Sequence, residues 1–233
     1  MLIDKNTCFV IYGGGSDLIR PIYSRYQNSS FIPIIKNTNV SFKNGNLVST
    51  KSENWLEELK NLIELNYFSE NLVYINAATF QLEKLFTAHS EEEIEAIVKT
   101  GISNQLLISK IMLGQMIKKK VGRFINLSSF RSKLPINGTS LYSSIKSFNN
   151  IFFKSIGLEY GRFDITSNSI SIGFADTKLL KNLPKESIQK YKKSIVKNRF
   201  LDEDEFFNCV EYIIQSNYLN GAIINLDGGL KVL

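Results

Sequence analysis

Short apolar runs alternate with amphipathic segments along the sequence. The run CFVIY at 8–12 is unbroken and ends in glycines, which predicts a strand buried on both faces of a parallel sheet. The pattern predicts further strands at 31–35, 72–78, 122–129 and 165–173, and a final strand and turn at 222–229. It predicts helices at 17–26, 52–65, 90–99, 103–120, 141–160 and 203–215, and a basic helical segment at 178–199. Such alternation indicates an α/β fold with a doubly wound parallel sheet and helices on both faces.

The chain gives no sign of a second domain, a metal site or a membrane segment. No proline- or glycine-rich linker divides the 233 residues, so we expect one Rossmann-like domain over 1–233. The single histidine, His89, excludes a multi-histidine metal site, and the two cysteines, Cys8 and Cys209, form no CxxC motif. The N-terminus lacks a signal-peptide pattern, and no run of about 18 apolar residues occurs. We therefore expect a cytoplasmic protein without membrane contact.

The segment GGGSDLI (13–19) follows the first predicted strand and precedes a helix. A glycine-rich turn in this position lets backbone N–H groups approach a pyrophosphate at a helix N-terminus. The full GxxxGxG pattern is incomplete, because Asp17 and Ile19 stand where it has glycines. Two interpretations remain open, an ordinary tight turn and a phosphate-binding loop.

The end of the second predicted strand carries Lys36 and Asn37 and no nearby carboxylate. An acidic residue there binds the ribose 2′-hydroxyl of NAD, whereas a basic residue accommodates the 2′-phosphate of NADP. The sequence therefore favours NADP, with NAD as the alternative.

The segment YSSIK places Tyr142 and Lys146 one turn apart on the same helix face. An ammonium close to a phenol stabilises the phenolate and lowers the tyrosine pKa, so such a tyrosine can exchange a proton with a carbonyl or alcohol oxygen. Ser129 ends the preceding strand, where its hydroxyl could hold the same oxygen. A YxxxK pair alone is weak, since most such pairs are incidental. Its place after a strand ending in two serines strengthens the interpretation.

Taken together, these motifs resemble those of the classical short-chain dehydrogenases/reductases, from Phe9 to Gly229. Two matches are imperfect, with Ala78 in place of a glycine and Ile172 in place of a proline. In chain order, the matching segments are the glycine loop at 13–19, INAA at 75–78, Asn104 in ISNQLL, Ser129 in INLSS, YSSIK at 142–146, SIGFADT at 171–177 and LDGG at 226–229.

This resemblance implies a catalytic set of Asn104, Ser129, Tyr142 and Lys146. Tyr142 would be the general acid in reduction and the base in oxidation, and Lys146 would tune it and bind the nicotinamide ribose. Ser129 would position the substrate oxygen, and Asn104 would help hold a water in a proton relay. The implied activity is an NAD(P)H-dependent interconversion of a carbonyl and an alcohol.

The resemblance also implies the cofactor contacts. The glycine loop would line the pyrophosphate, the segment after the third predicted strand would pass near the adenosine ribose, and the segment after the sixth would flank the carboxamide. The implied binding residues are Gly13, Gly15, Ser16, Asp17, Leu18, Lys36, Asn37, Asn76, Ala77, Ala78, Tyr142, Lys146, Gly173, Ala175 and Thr177.

A substrate lid is expected at about 176–200. Residues 178–199 hold eight Lys or Arg residues against one acid, Glu186, and the whole chain has a net charge of +6. The run is either a solvated helix face or a surface that attracts an anionic substrate, such as a nucleotide-linked sugar or an acyl group on an acidic carrier protein. Crowded apolar residues on the helices at 103–120 and 141–160 indicate an interface or deeply buried helices, and the two interpretations are compatible. The resemblance implies that these two helices pair in a homodimer, often within a homotetramer.

Alternatives to a reductase remain open. Epimerisation or dehydration could use the same tyrosine and lysine. A non-catalytic cofactor sensor or scaffold is suggested by Asp17 and Ile19 and opposed by the complete catalytic set. No nucleic-acid recognition motif accompanies the basic segment, so we expect no nucleic-acid partner.

Overall fold

The computed structural model describes residues 1, 3–36, 46–65, 70–78, 80, 84–177 and 184–231. The strands of this part of the chain form one parallel seven-stranded sheet with the order β3-β2-β1-β4-β5-β6-β7. The predicted doubly wound α/β fold is therefore confirmed. The strands are β1 (Thr7–Tyr12), β2 (Ser30–Ile35), β3 (Val48–Ser49), β4 (Asn71–Asn76), β5 (Gly122–Ser129), β6 (Ile165–Ile172) and β7 (Ile223–Leu226).

Helices cover both faces of the sheet. They are α1 (Arg20–Arg25), α2 (Trp55–Leu65), α3 (Glu91–Val98), α4 (Asn104–Lys119), α5 (Ser140–Tyr160), α6 (Lys185–Lys193) and α7 (Glu203–Gln215). Within the described residues, no helix is both long and apolar enough to span a membrane.

Strand β1 shows why its apolar run is unbroken. Successive side chains of a strand point to opposite faces, so Cys8, Val10 and Tyr12 enter the core beneath α2, α4 and α5. Phe9 and Ile11 enter the core beneath α1 and α7. Because both faces are covered, no position along this strand is left for a solvated polar side chain.

Several boundaries differ from the predictions. The first predicted helix starts as a 3₁₀ turn at Asp17–Ile19 before α1, and β4 ends at Asn76 instead of residue 78. Strand β3 was not predicted, because two residues carry no periodic signal. Within the basic segment, α6 covers Lys185–Lys193, and residues 178–183 lie outside the described part of the chain.

The topology defines one edge where a site can form. The chain passes from β1 to β2 on one side and returns to β4 on the other, so the strand order reverses between β1 and β4. Ligands of open parallel sheets bind beyond the carboxyl ends of the strands at such a reversal. The glycine loop, the residues after β4 and Ser129 at the end of β5 all lie along this edge.

Candidate active site

The glycine loop crosses directly over the end of β4. Gly13 has a φ of +82°, and a Cβ atom there would lie 2.6 Å from the carbonyl carbon of Ala77. The N–H of Gly13 donates to the carbonyl oxygen of Ile34 at 2.9 Å, which ties the turn to β2. Around Gly15, by contrast, an added Cβ would meet no described atom within 4 Å. The loop is thus closely packed at Gly13 and open at Gly15. An open position of this kind would let a phosphate approach the backbone N–H groups.

The two departures from the glycine pattern have structural explanations. The Asp17 carboxylate forms an ion pair with the Arg20 guanidinium at 3.2 Å, so its charge is balanced within one turn. Ile19 is fully buried and joins the core beneath α1 and α7. Neither residue fills the open space above Gly15.

The remaining predicted cofactor residues near β1 lie at the same edge. Ala77 donates its N–H to the carbonyl oxygen of Tyr12 at 2.7 Å, which holds the segment after β4 against β1. Lys36 follows β2 directly and is exposed. Asn37 lies outside the described residues.

Lys146 is the buried cation of the site. Lys146 is a residue of α5 and is 4% exposed. Its Nζ donates to the carbonyl oxygens of Leu127 at 2.8 Å and Ala78 at 3.2 Å. Burial lowers the pKa of Lys146 from 10.5 to about 8. The ammonium therefore joins β5 to the segment after β4 while it faces the first turn of α5.

Tyr142 lies in that first turn, on the same helix face as Lys146. The Lys146 Nζ is 5.8 Å from the centre of the Tyr142 ring. The edge of the Phe80 ring packs against Tyr142, with ring centres 5.6 Å apart. The predicted tyrosine–lysine pair is therefore assembled, with a half-buried phenol in front of a buried cation.

Ser129 is the last residue of β5, and its hydroxyl is oriented by the turn that follows. The Oγ accepts a hydrogen bond from the N–H of Arg131 at 3.3 Å. Because one lone pair of the oxygen is engaged in this way, the hydroxyl proton can be donated to a ligand. Helix α5 starts at the same sheet edge, so Ser129 and Tyr142 lie on one side of the molecule.

Asn104 is the first residue of α4 and follows a π-helical turn at Lys99–Ser103. Its Nδ2 donates to the hydroxyl oxygen of Tyr12 at 3.1 Å, and that hydroxyl donates to the carbonyl of Thr100 at 3.0 Å. Burial raises the pKa of Tyr12, and the hydrogen bond from Asn104 partly opposes this rise. The Asn104 side chain is thus fixed by the end of β1.

The segment after β6 lies at the same sheet edge, on the side of β5 away from β4. Gly173 fits closely against the terminal turn, since a Cβ there would lie 2.8 Å from the Cα of Asp227. Ala175 pairs with Leu201 in an isolated bridge, and the N–H of Thr177 donates to Ala175 at 2.8 Å. These contacts fix the backbone that the sequence predicts beside the nicotinamide.

An aromatic cluster lies beside this segment, and the sequence analysis missed it. Phe130 follows Ser129 directly, and Phe174 follows Gly173 directly. Their ring centres are 5.3 Å apart, and Tyr191 of α6 stacks on Phe174 at 4.5 Å. The sequence did offer a signal for this cluster, because an aromatic residue directly follows each of the predicted site residues Ser129 and Gly173.

Part of the charge of the basic segment is neutralised by Glu205, which lies in the next helix, α7. Arg199 forms two hydrogen bonds with the Glu205 carboxylate, at 2.7 and 2.6 Å, and Lys197 lies 3.9 Å from the same group. The Lys185, Lys190 and Lys193 side chains lie exposed on α6. Among the described residues of the basic segment, exposed lysines that are not paired with Glu205 therefore lie on this helix.

Tyr12 and the π-helical turn also escaped the sequence analysis. In the sequence, Tyr12 is indistinguishable from the other apolar residues of a buried strand. Its hydroxyl accepts a hydrogen bond from Asn104, which lies 92 positions further along the chain. No local pattern signals the π-helical turn. Such turns are frequent at functional sites.

The comparisons with known proteins agree with this geometry. The family model for short chain dehydrogenases matches residues 46–188, which include Asn104, Ser129, Tyr142 and Lys146 but not the glycine loop. The 3-oxoacyl-[acyl-carrier-protein] reductase FabG of Buchnera aphidicola (subsp. Schizaphis graminum) is 30% identical over 177 residues, 75% of this chain and 72% of its own. The FabG reductase of Aquifex aeolicus is 30% identical over 188 residues, 79% of this chain and 74% of its own.

A solved structure shows the same fold. A single-residue variant of the actinorhodin polyketide ketoreductase, crystallised with NADPH, superposes with a TM-score of 0.83 at 18% identity, covering 97% of this chain and 98% of its own. The family model and the FabG relatives show that the chain belongs to the short chain dehydrogenase family and is an oxidoreductase. Among the residues described, no group of three or more His, Cys, Asp or Glu side chains could hold a metal ion.

Proposed function

We propose that the protein is an NADPH-dependent reductase that converts a ketone of a carrier-bound acyl chain into an alcohol. The observation that carries this proposal is the pairing of the buried Lys146 ammonium with Tyr142. The Lys146 Nζ lies 5.8 Å from the centre of the Tyr142 ring. Ser129, with its oriented hydroxyl at the same edge, completes a site for a carbonyl oxygen. The FabG relatives support an acyl substrate attached to a carrier protein.

The residues at the sheet edge fit a dinucleotide. The open space over Gly15 would receive the pyrophosphate, while the close fit of Gly13 on Ala77 holds the loop in shape. Lys36 would contact the 2′-phosphate, which favours NADPH, with NADH as the weaker alternative. The other binding residues that we propose are Ser16, Asp17, Leu18, Asn37, Asn76, Ala78, Gly173, Ala175 and Thr177.

Proton transfer would be carried out by the chain's own groups. When bound, the reduced nicotinamide supplies the hydride to the carbonyl carbon. Ser129 donates a hydrogen bond to the carbonyl oxygen, and Tyr142 donates the proton that completes the alcohol. The Lys146 ammonium stabilises the phenolate that remains. Asn104, fixed by Tyr12, would hold a water that returns a proton to the site.

The substrate would approach across the lid that we propose at 176–200, within a single domain over 1–233. The acyl chain would lie along the rings of Phe130, Phe174 and Tyr191. The exposed lysines of α6 would attract an acidic carrier. The separate, free cysteines Cys8 and Cys209 suit the reducing cytoplasm in which we place the protein.

The assembly that we propose is a homodimer or homotetramer built through α4 and α5. Leu107 of α4 and Phe148, Ile151 and Leu158 of α5 are exposed, and the Ile151 and Leu158 side chains are 64% and 74% accessible. Phe148 stacks on Phe152 with ring centres 6.2 Å apart, which extends this apolar face. Exposed apolar patches of this kind mark interfaces.

The direct test is NADPH consumption with two forms of one substrate. The acetoacetyl group is presented on acyl carrier protein and, separately, on N-acetylcysteamine. We expect consumption of one NADPH per hydroxyl product, with a lower KM for the carrier-bound form. Absence of turnover with both forms would contradict the proposed activity, and equal KM values would contradict the carrier.

A further inference from the structure

The turn that follows Ser129 is tied to α5 by two hydrogen bonds at a single residue, Ser132. The Ser147 Oγ donates to the Ser132 carbonyl oxygen at 2.6 Å and shares its single proton with the Ser143 carbonyl oxygen of its own helix at 2.8 Å. The Asn150 Nδ2 donates to the Ser132 Oγ at 2.9 Å. Both donors come from the helix that carries Tyr142 and Lys146, and Ser147 is the residue next to Lys146.

The same turn determines how the Ser129 hydroxyl is oriented. Residues Phe130–Ser132 form a single 3₁₀ turn, and the Ser129 Oγ accepts from the Arg131 N–H inside it. A shift of the Ser132 backbone would move the Arg131 N–H and with it the Ser129 oxygen. The bonds at Ser132 therefore link the turn that holds the Ser129 hydroxyl to the helix of Tyr142.

Asn150 is itself held by buried polar groups. Its Oδ1 accepts from the Asn126 Nδ2 at 3.5 Å, and Asn126 also donates to the Ser169 Oγ at 3.0 Å. The Asn126 Oδ1 accepts from the Asn76 Nδ2 at 3.1 Å. Asn76, Asn126 and Asn150 are all at most 4% exposed. Losing one partner would leave a buried polar group unsatisfied, so the Asn150 amide has a narrow choice of orientations.

We infer that Ser132 and Asn150 are positioning residues for the reduction, which hold the Ser129 hydroxyl in register with the Tyr142 phenol. They touch neither the reacting carbonyl nor the hydride donor, and they act through the 3₁₀ turn. Catalytic groups that must meet one oxygen are sensitive to displacements of about 1 Å. The inference rests on the proposed function, because it assigns to Ser129 the contact with the carbonyl oxygen.

A double-mutant cycle tests this inference. The variants are Ser132→Ala, Ser129→Ala and the combination, assayed with NADPH and acetoacetyl-N-acetylcysteamine. Ser132→Ala removes one hydroxyl and keeps the carbonyl that Ser147 binds. We expect kcat to fall about fivefold to tenfold in Ser132→Ala, with the KM for NADPH unchanged. In the Ser129→Ala background, the same change should alter kcat less than about twofold.

Two further variants separate positioning from general loss of stability. Ser132→Thr keeps the hydroxyl and should restore kcat to within about twofold of the original. Ser167→Ala removes a buried hydroxyl for which no hydrogen-bond partner is found among the described residues, far from the site, and should leave kcat unchanged. Amide hydrogen exchange of residues 130–134 should accelerate in Ser132→Ala, and this readout does not depend on turnover.

The outcomes distinguish the inference from the function on which it rests. An equal loss of kcat in both backgrounds would overturn the inference, because Ser132 would then act on the fold and not through Ser129. Normal kcat and unchanged exchange in Ser132→Ala, with a large loss in Ser129→Ala, would also overturn it and leave the proposed function standing. Normal activity of Ser129→Ala would overturn the role of Ser129 and the inference together.

Discussion

Gly13 and Ala77 lie so close together that a Cβ atom on Gly13 would stand 2.6 Å from the Ala77 carbonyl oxygen. Gly13 also has a φ of +82°, a conformation that side chains rarely adopt. Two residues along the chain, a Cβ atom added to Gly15 would meet nothing within 4 Å among the described atoms. One glycine of the loop is therefore required by the fold, and the other leaves room for a ligand.

This contrast predicts opposite outcomes for two substitutions. Gly13→Ala should lower the free energy of unfolding by about 2 kcal/mol or more, through strain and the contact with Ala77. Gly15→Val should fold normally and weaken NADPH binding by roughly tenfold or more, because its side chain would occupy the space for the pyrophosphate. Urea unfolding and NADPH fluorescence titration measure the two effects. A stable Gly13→Ala or an unimpaired Gly15→Val would contradict the assignment of the loop.

Lys36 should set the preference between the two dinucleotides. Lys36→Ala should weaken NADPH binding by roughly tenfold, the value of one charge-assisted hydrogen bond, and leave NADH binding unchanged. Lys5→Ala, an exposed lysine before the amino end of β1, is the matched control. If Lys36→Ala weakened the binding of NADPH and NADH equally, Lys36 would not contact the 2′-phosphate.

The buried ammonium of Lys146 should make stability depend on pH. Its pKa is about 8 in the folded protein, below the ordinary 10.5, so the unfolded chain binds more protons between these values. The free energy of unfolding contributed by this group should therefore rise as the pH increases from about 8 to 10.5, by up to about 3 kcal/mol. The hydrogen bonds to the Leu127 and Ala78 carbonyls favour the ammonium and reduce this rise.

Lys146→Met provides the comparison, since it keeps much of the side-chain volume and cannot titrate. Urea unfolding of both proteins at pH 7.5, 9 and 10 should show a stability difference that shifts in favour of the original with rising pH. A pH-independent difference would mean that Lys146 is not a shifted buried cation.

The apolar face of α4 and α5 should hold the subunits together. Ile151→Lys places a charge on an exposed position of that face and should convert the proposed oligomer into monomers. Val196→Lys changes a side chain that is equally accessible but lies after α6, and should leave the assembly intact. Sedimentation velocity measures both. An Ile151→Lys variant with the original mass would place the interface elsewhere.

The sequence predicted what local periodicity encodes. The strands at Thr7–Tyr12 and Ile165–Ile172 come from short-range patterns, and both are present. The YSSIK pair is also local, because both residues lie on one helix face. The alternation of strands and helices then left few arrangements for the sheet.

What the sequence did not predict depends on contacts between distant residues. The Tyr12–Asn104 hydrogen bond and the stacking of Tyr191 on Phe174 join elements that are separate in the chain. The ion pair of Asp17 with Arg20 is local, but whether Asp17 faces the loop or its neighbour depends on how the 3₁₀ turn is placed. These features depend on how distant segments pack together, and the sequence of one segment alone does not predict that packing.

Replacement of Tyr142 by phenylalanine removes the hydroxyl that we propose as the proton donor. The measurement is NADPH oxidation with acetoacetyl-N-acetylcysteamine by the original protein and by Tyr142→Phe, with NADPH affinity determined for both. We predict that kcat falls by at least about a hundredfold, because only the proton-donating hydroxyl is lost, while the Kd for NADPH changes less than about threefold. Near-normal turnover by Tyr142→Phe would contradict the account.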